Sequence, residues 1–351
     1  MNLPYIVGPP IQKATDFYGR STEIARVYEI LAGQQVQSLS VLGLARVGKT
    51  SFLKQVARPE VKAAYLVQPE RYIFILLDVA LCKSAELFYQ KLFLELVSIL
   101  RINISKPLHI PSSSSISLYD IEDLLLQISG YRVVLLLDNF DSILDGEYDL
   151  EFMTELRALV GAWEYELACI TASYLDLYTL GVAMGLPPTS PFYNIFYPSP
   201  IFLAGLDVQA CDQLICEPLR GSEYSCSNGV VAEICETAGT IPICMQSTAV
   251  RWWRQPGLER PLLVNVFTRW WDAFTYLEKT LLLKIAMKQS LTAGKVDIST
   301  RETLQRLLDY GVIVESAMEL RLNGNLWANW IQEQSHTFEI VDPAVQFFSN
   351  K

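Results

Sequence analysis

Residues 43–51 read Gly-Leu-Ala-Arg-Val-Gly-Lys-Thr-Ser, a complete G-x-x-x-x-G-K-T loop. Gly43 and Gly48 let the backbone curl so that N–H groups point inward at a phosphate, and a following helix adds the positive end of its dipole. Arg46, Val47 and Ser51 complete the loop around them. Lys49 is placed to neutralise β- and γ-phosphates, and the Thr50 hydroxyl to reach Mg²⁺. Such a loop acts only between a strand and a helix, and the apolar run Val36–Leu42 and the helix-like Phe52–Val56 supply both flanks. A glycine turn that merely shares the spelling would lack them. The loop therefore implies a nucleoside triphosphate ligand, read as ATP or ADP with Mg²⁺.

Mg²⁺ held in this way needs a carboxylate at the end of a neighbouring strand. Tyr131-Arg-Val-Val-Leu-Leu-Leu-Asp138 is a short continuous apolar run ending in an acid, the pattern of a parallel strand buried on both faces. Thr50 and Asp138 are thus the expected metal pair. Enzymes that hydrolyse nucleotides at such a site usually place a glutamate next, to polarise the attacking water, and this chain has Asn139. Asparagine holds a water but takes no proton from it. Asp141 lies two residues further and takes over only if the strand end curls; otherwise it is a solvated loop acid. Asp138, Asn139 and Asp141 are the candidate catalytic residues, and slow or absent hydrolysis is expected.

Several elements must position these groups. Gly8-Pro9-Pro10 marks an extended lead, followed by a helical pattern from Thr22 to Leu31. Tyr72–Val79 reads as a second strand ending near Asp78, and Ser84–Leu100 as an amphipathic helix with a serine cap. Pro107–Ser117 reads as a surface loop or insert, Leu118–Ile128 and Leu150–Trp163 as helices, and Leu167–Thr171 as a strand closing on Ala172-Ser173. Alternation of strands and helices predicts an α/β fold with a parallel sheet covered on both faces. Tyr174–Pro200, rich in proline and aromatics, reads as a long loop or hinge, and Ile201–Ala204 as the last strand.

Beyond the sheet the pattern is helical. Asp207 reads as the cap of a helix Val208–Leu219, with breaks at Gly221 and at Gly239-Thr-Ile-Pro242 and a boundary at Pro256-Gly257. Helical segments around Trp270-Trp271, Leu281–Lys288 and Arg301–Leu308 precede two short strand-like runs, Val312–Glu315 and Leu320–Leu322. That order predicts a winged helix. Its would-be reading helix sets Arg301 and Arg306 against Glu302 and Asp309, so it supplies few phosphate contacts and DNA reading is disfavoured. The expected domains are a P-loop nucleotide-binding domain over 1–200 with a lead at 1–16, a helical lid over 201–257, and a winged-helix domain over 258–351.

The 351 residues are about half apolar, 51%, enough for more than one core, and carry a net charge of −10, unsuited to coating nucleic acid. Seven cysteines without a C-x-x-C pair, and only His109 and His336, offer no metal framework; the cysteines read as reduced packing groups. No basic leader with an apolar core and no membrane-length apolar run is present, so a soluble, cytoplasmic chain is expected. Trp252-Trp253 and Trp270-Trp271 read as gap-filling aromatics rather than a partner face, and His336 as a surface or capping group.

With these residues placed, the chain resembles the STAND class of P-loop ATPases, the AAA+-like group that includes NACHT, NB-ARC and archaeal ATPase domains. Phe17-Tyr18-Gly19-Arg20 with Glu23 is similar to that group's F-x-G-R-x-x-E box, which implies that Arg20 lies near the nucleotide base. Ser173 stands where the family keeps a γ-phosphate sensor, although Tyr174 follows where relatives often have arginine. Gly239-Thr240-Ile241-Pro242 resembles the lid's G-x-P element with one residue added, which implies that Pro242 packs near adenine. The resemblance further implies a switch: ADP favours a closed form, and ATP an open, homo- or hetero-oligomeric one. Relatives carry effector and sensor domains around this core, so either those functions lie on a separate partner chain, the reading favoured here, or this sequence is a core fragment; bacterial defence signalling is the analogous setting. The alternatives are a DNA-associated AAA+ ATPase, similar to origin-recognition proteins or transposition regulators, that oligomerises on DNA, and a scaffold that holds ADP without turnover.

Overall fold

The computed structural model describes residues 5–104, 107–110, 116–128, 130–222, 226–253, 260–289, 297–316 and 319–338. The serine run at 112–115, the boundary at Pro256-Gly257 and the sequence beyond Phe338 lie outside them. The chain divides into two compact units. One comprises residues 10–43 and 48–203; the other comprises the described residues within Met1–Pro9, Leu44–Val47 and Ala204–Lys351.

The first unit is built on a five-stranded parallel sheet. Its elements run α1 (Ser21–Leu31), β1 (Leu39–Leu42), α2 (Lys49–Val56), α3 (Pro59–Tyr65), β2 (Tyr72–Asp78), α4 (Ala85–Asn103), α5 (Leu118–Gln127), β3 (Arg132–Asp138), α6 (Leu150–Gly161), β4 (Glu166–Ser173), α7 (Leu177–Ala183) and β5 (Ile201–Phe202). The strand order is β2-β3-β4-β1-β5, every pair parallel. Side chains alternate between the two faces of a strand. Ile73, Ile75 and Leu77 of β2 and Val133, Leu135 and Leu137 of β3 join a core with Phe88, Leu92 and Leu96 of α4, Leu124 of α5, and Phe152 and Leu156 of α6. The even-numbered residues of β2 and β3 face the other way, toward α1 and α2, where Tyr28 meets Phe74 edge-on and α2 packs on β3 and β4. Both faces are covered, which is why these strands read as continuous apolar runs.

Caps set the helix starts. Ser84 accepts from the Leu87 amide at the head of α4, and Asp149 from Phe152 at the head of α6. The segment 174–200, expected to be loop or hinge, instead contains α7 and a short 3₁₀ turn at Pro191–Ile195. Asp176 caps α7 through the Thr179 amide, and Leu177 and Leu180 are buried on the core, an amphipathic spacing the prolines further on obscured.

The second unit contains α8 (Val208–Cys216), α9 (Asn228–Ala238), α10 (Pro242–Trp253), α11 (Arg260–Ala273), α12 (Tyr276–Ala286), α13 (Ile298–Asp309), the antiparallel strands β6 (Ile313–Ser316) and β7 (Glu319–Leu322), and α14 (Asn325–Gln334). Asp207 caps α8 through the Ala210 amide, as its sequence position implied. Cys216 and Cys226 form a disulfide, which corrects the expectation that all cysteines are reduced; the two half-cystines are ten residues apart and their Cα atoms 5.4 Å apart, close enough to pair. Trp270 is almost fully buried, in edge and tilted contact with Phe267 and Trp327, so this tryptophan fills a gap between helices. No helix among the described residues is long and apolar enough to cross a membrane.

Candidate nucleotide site

The phosphate loop leaves the C-terminal end of β1 and enters α2. Two positions reverse its backbone hand, Arg46 at φ 68° and Gly48 at φ 109°. No heavy atom lies within 4 Å of where a Cβ on Gly48 would stand, so conformation rather than crowding calls for glycine there. The amides of Lys49, Thr50 and Ser51 form the first turn of α2, the end of a helix whose N–H groups provide the donor set that a phosphate takes.

Lys49 folds back over the loop, its Nζ 2.8 Å from the Gly43 carbonyl oxygen. Burial pushes its ammonium below the ordinary lysine range, and the carboxylates of Asp141 and Asp138 draw it part of the way back. Thr50 Oγ1 donates to Asp138 Oδ2 at 2.6 Å, joining helix and strand. Asp138 is buried at the end of β3. Burial raises its carboxyl above the usual range; the Thr50 hydroxyl opposes that, while Asp78 on the neighbouring strand adds to it. A hydroxyl and a carboxylate in contact beside a phosphate cradle form the hard oxygen set that suits Mg²⁺.

The chain turns sharply after Asp138, Asn139 taking φ 53°, and its amide N–H returns to Asp138 Oδ1 at 3.1 Å. The Asn139 side chain points to β2, where Nδ2 donates to Asp78 Oδ1 at 3.0 Å. Asp141 Oδ2 accepts from the Tyr174 amide at 2.9 Å, tying the turn after β3 to the end of β4. Gly43, Gly48, Lys49, Thr50, Asp138, Asn139 and Asp141 thus gather at the C-terminal ends of β1 and β3.

The remaining candidates are held as follows. The buried Ser173 hydroxyl donates to Leu175 O at 2.7 Å, and its carbonyl receives the Gly43 amide at 3.2 Å. Ser51 Oγ accepts from the Ile11 amide at 3.0 Å and so fastens the amino-terminal lead to α2. Arg20, buried in the left-handed region just before α1, pairs with Glu23 at 3.0 Å. Arg46 and the buried Val47 belong to the second unit, where Arg46 donates to Gly8 O at 3.0 Å. Pro242 also lies there, opening α10 just after the left-handed Gly239.

Three polar contacts went unassigned in the sequence. Asp78 ends a run, Ile-Leu-Leu-Asp, that mirrors the run ending in Asp138, and that likeness was the available signal. Asn323 accepts from the Thr240 amide at 3.0 Å and donates to Gly311 O at 2.7 Å, a contact over eighty residues apart that no local pattern announces. Within the same unit, Trp270 Nε1 donates to Ala45 O of the phosphate loop at 2.8 Å.

No protein-family profile matches the sequence, and no curated protein does either. Among solved structures, the chain is similar to the Walker-type ATPase PABY2304 of Pyrococcus abyssi, at 16% identity and TM-score 0.60, over 92% of this chain and 98% of that one. The ORC2 protein of Aeropyrum pernix, solved with ADPNP and ADP, aligns at 12% identity over 95% of each chain with a TM-score of 0.45. ORC1 of the same organism, solved in complex with DNA, aligns at 12% identity over 94% of each chain with a TM-score of 0.44. The weight rests on the first of these, together with the sheet order and the loop geometry. The chain has the fold of the P-loop ATPases, a parallel sheet with its phosphate loop after the first strand and a helical region toward the carboxyl end.

Proposed function

We propose that this protein is an ATP- and ADP-binding molecular switch of the STAND type that hydrolyses ATP slowly and controls a partner protein. One observation carries the nucleotide reading: Thr50 Oγ1 lies 2.6 Å from Asp138 Oδ2, beside Lys49 and the left-handed Gly48. Lys49 and the amides of the α2 N-terminus bind the phosphates, and Thr50 and Asp138 hold Mg²⁺. The ion, when bound, neutralises charge on the β- and γ-phosphoryl oxygens. Asn139 in place of an acid supports slow turnover. A γ-phosphate biases two states only through groups whose contacts differ between them, and Lys49, Thr50, Asp138 and Ser173 are the groups we assign to that role.

The domain division into a nucleotide-binding domain, a lid over 201–257 and a winged helix over 258–351 belongs to this proposal. So do the partner effector or sensor, the nucleotide-dependent homo- or hetero-oligomer, the cytoplasmic location and the setting in bacterial defence signalling. The test is the nucleotide released from the purified chain, with the particle mass measured in ADP and in a non-hydrolysable ATP analogue. Retained ADP and a larger particle with the analogue support the switch; equal masses in both refute it.

A second reading, DNA association by an AAA+ ATPase, draws on the three helices and hairpin at the carboxyl end. Against it, α13 balances Arg301 and Arg306 with Glu302 and Asp309. Arg306 Nε also lies 3.2 Å from Glu278 Oε1, a charge contact without hydrogen-bond alignment. Affinity for duplex DNA that falls steeply with salt supports this second reading over the first.

A further inference from the structure

Asn139 puts an amide where a carboxylate is expected, and the neighbouring strand β2 ends in a carboxylate, Asp78. Asp78 and Asp138 are register partners on β2 and β3. Leu77 and Leu137 both face the core formed with α4 and α6, so by alternation Asp78 and Asp138 both face the side on which Thr50 meets Asp138. Asn139 Nδ2 donates to Asp78 Oδ1 at 3.0 Å. A carboxylate only accepts, so this bond fixes which end of the amide faces Asp78 and turns the amide oxygen away from it.

Of the other acids near the site, Asp138 is engaged on both carboxylate oxygens and Asp141 on one. Asp138 receives Thr50 on Oδ2 and the Asn139 amide on Oδ1, and Asp141 holds the Tyr174 amide. Asp78 is only partly buried, and both hydrogen bonds to its carboxylate, from Asn139 and from the Ala80 amide at 3.1 Å, fall on Oδ1. Among the described residues, Oδ2 receives none.

We propose that Asp78 is the carboxylate that activates the attacking water, with Asn139 aiming that water, so that acid and amide are divided between two adjacent strands. This rests on the ATP-binding reading above. In the step, a lone pair of the water oxygen forms a bond to the γ-phosphorus and the bond from that phosphorus to the β,γ-bridging oxygen breaks. Its electron pair stays on ADP. The proton lost by the water passes to Asp78 Oδ2 and from there to solvent, while the Asn139 amide oxygen accepts a hydrogen bond from the water's other hydrogen.

The experiment exchanges the two groups. ATP binding by calorimetry and phosphate release are measured for the native chain, Asp78→Asn, Asn139→Asp and the double exchange Asp78→Asn/Asn139→Asp, each checked by thermal melting. Loss of a general base lowers turnover by about a hundredfold or more. Asp78→Asn is expected to lose at least that while its Kd for ATP stays within about threefold, and the double exchange is expected to regain at least about tenfold. Asp78→Ser, which keeps an oxygen for the Ala80 amide, carries the same expectation if the asparagine variant melts early. Native-like turnover in Asp78→Asn, or no gain in the double exchange, overturns the assignment. A native chain that binds ATP without turning it over also overturns it and leaves nucleotide binding intact. A native chain that binds no nucleotide removes both.

Discussion

Replacing Lys49 by methionine separates binding from stability. The ammonium makes a 2.8 Å bond to Gly43 O, yet burial depresses its pKa, so the surroundings oppose its charge in the absence of nucleotide. The folded pKa lies below the unfolded one, so the unfolded chain holds the proton more tightly. Stability on this account rises as pH climbs from the depressed folded value to the ordinary lysine value, and below that window the cost of the charge is present in full. Methionine removes that cost and leaves one carbonyl without its donor, two opposing effects. We expect melting without nucleotide within about 1 kcal/mol of native, a few degrees for a domain of this size. Binding should behave differently. Removing one side of a desolvated charge pair costs about 2–5 kcal/mol, roughly thirtyfold to several thousandfold in Kd. At a nucleotide concentration of 100 Kd the native chain gains about 2.7 kcal/mol, and a hundredfold weaker variant gains only about 0.4 kcal/mol at the same concentration. Differential scanning fluorimetry with and without Mg·ADP, alongside calorimetry, reads both quantities. A Lys49→Met variant that keeps native affinity refutes the phosphate role; one that melts ten degrees lower without nucleotide refutes the claim that burial opposes the charge.

Gly48→Ala forces an L side chain to φ 109° with no neighbour to clash, so its cost is backbone strain of about 1–3 kcal/mol, read as a lower melting temperature. Asp138→Asn removes a buried carboxylate whose folded pKa is raised; the native penalty grows as pH rises from the ordinary carboxylate value to that raised value. Above that window and in EDTA, the variant should melt higher than native, while the Mg²⁺ dependence of its nucleotide affinity is lost. Arg306→Ala leaves the buried Glu278 beside no guanidinium and should lower stability by about 1–3 kcal/mol, less than for a fully buried pair because Arg306 is partly exposed. The same variant should leave the salt dependence of any DNA affinity unchanged, measured by fluorescence anisotropy.

Most of the candidate site was legible because its groups are local to their motifs. The loop spelling gave Lys49 and Thr50, and an apolar run with a terminal acid gave Asp138, the carboxylate that Thr50 reaches across 88 residues. The parallel sheet followed from continuous apolar strands, whose burial on both faces leaves no polar alternation. What stayed hidden depended on register or on distant contacts. Asp78 gains meaning only when β2 and β3 align it with Asp138, and Asn323 only when β7 is brought to Thr240. Proline spacing concealed α7, and α14, with Trp327 and Ile331 buried four residues apart, followed a hairpin after which no further helix was expected. The Cys216–Cys226 pair escaped because no spacing rule singles out two of seven cysteines.

On the proposed function, the loop from Gly43 to Ser51, with Asp138, binds a nucleotide through Mg²⁺. Calorimetric titration of the native chain, freed of any co-purified nucleotide, with Mg·ADP and Mg·ATP measures that binding. One nucleotide per chain, bound at least about tenfold more weakly in EDTA and lost in Lys49→Met, is the predicted result. No heat of binding at millimolar nucleotide, or binding equally strong in Lys49→Met, would contradict it.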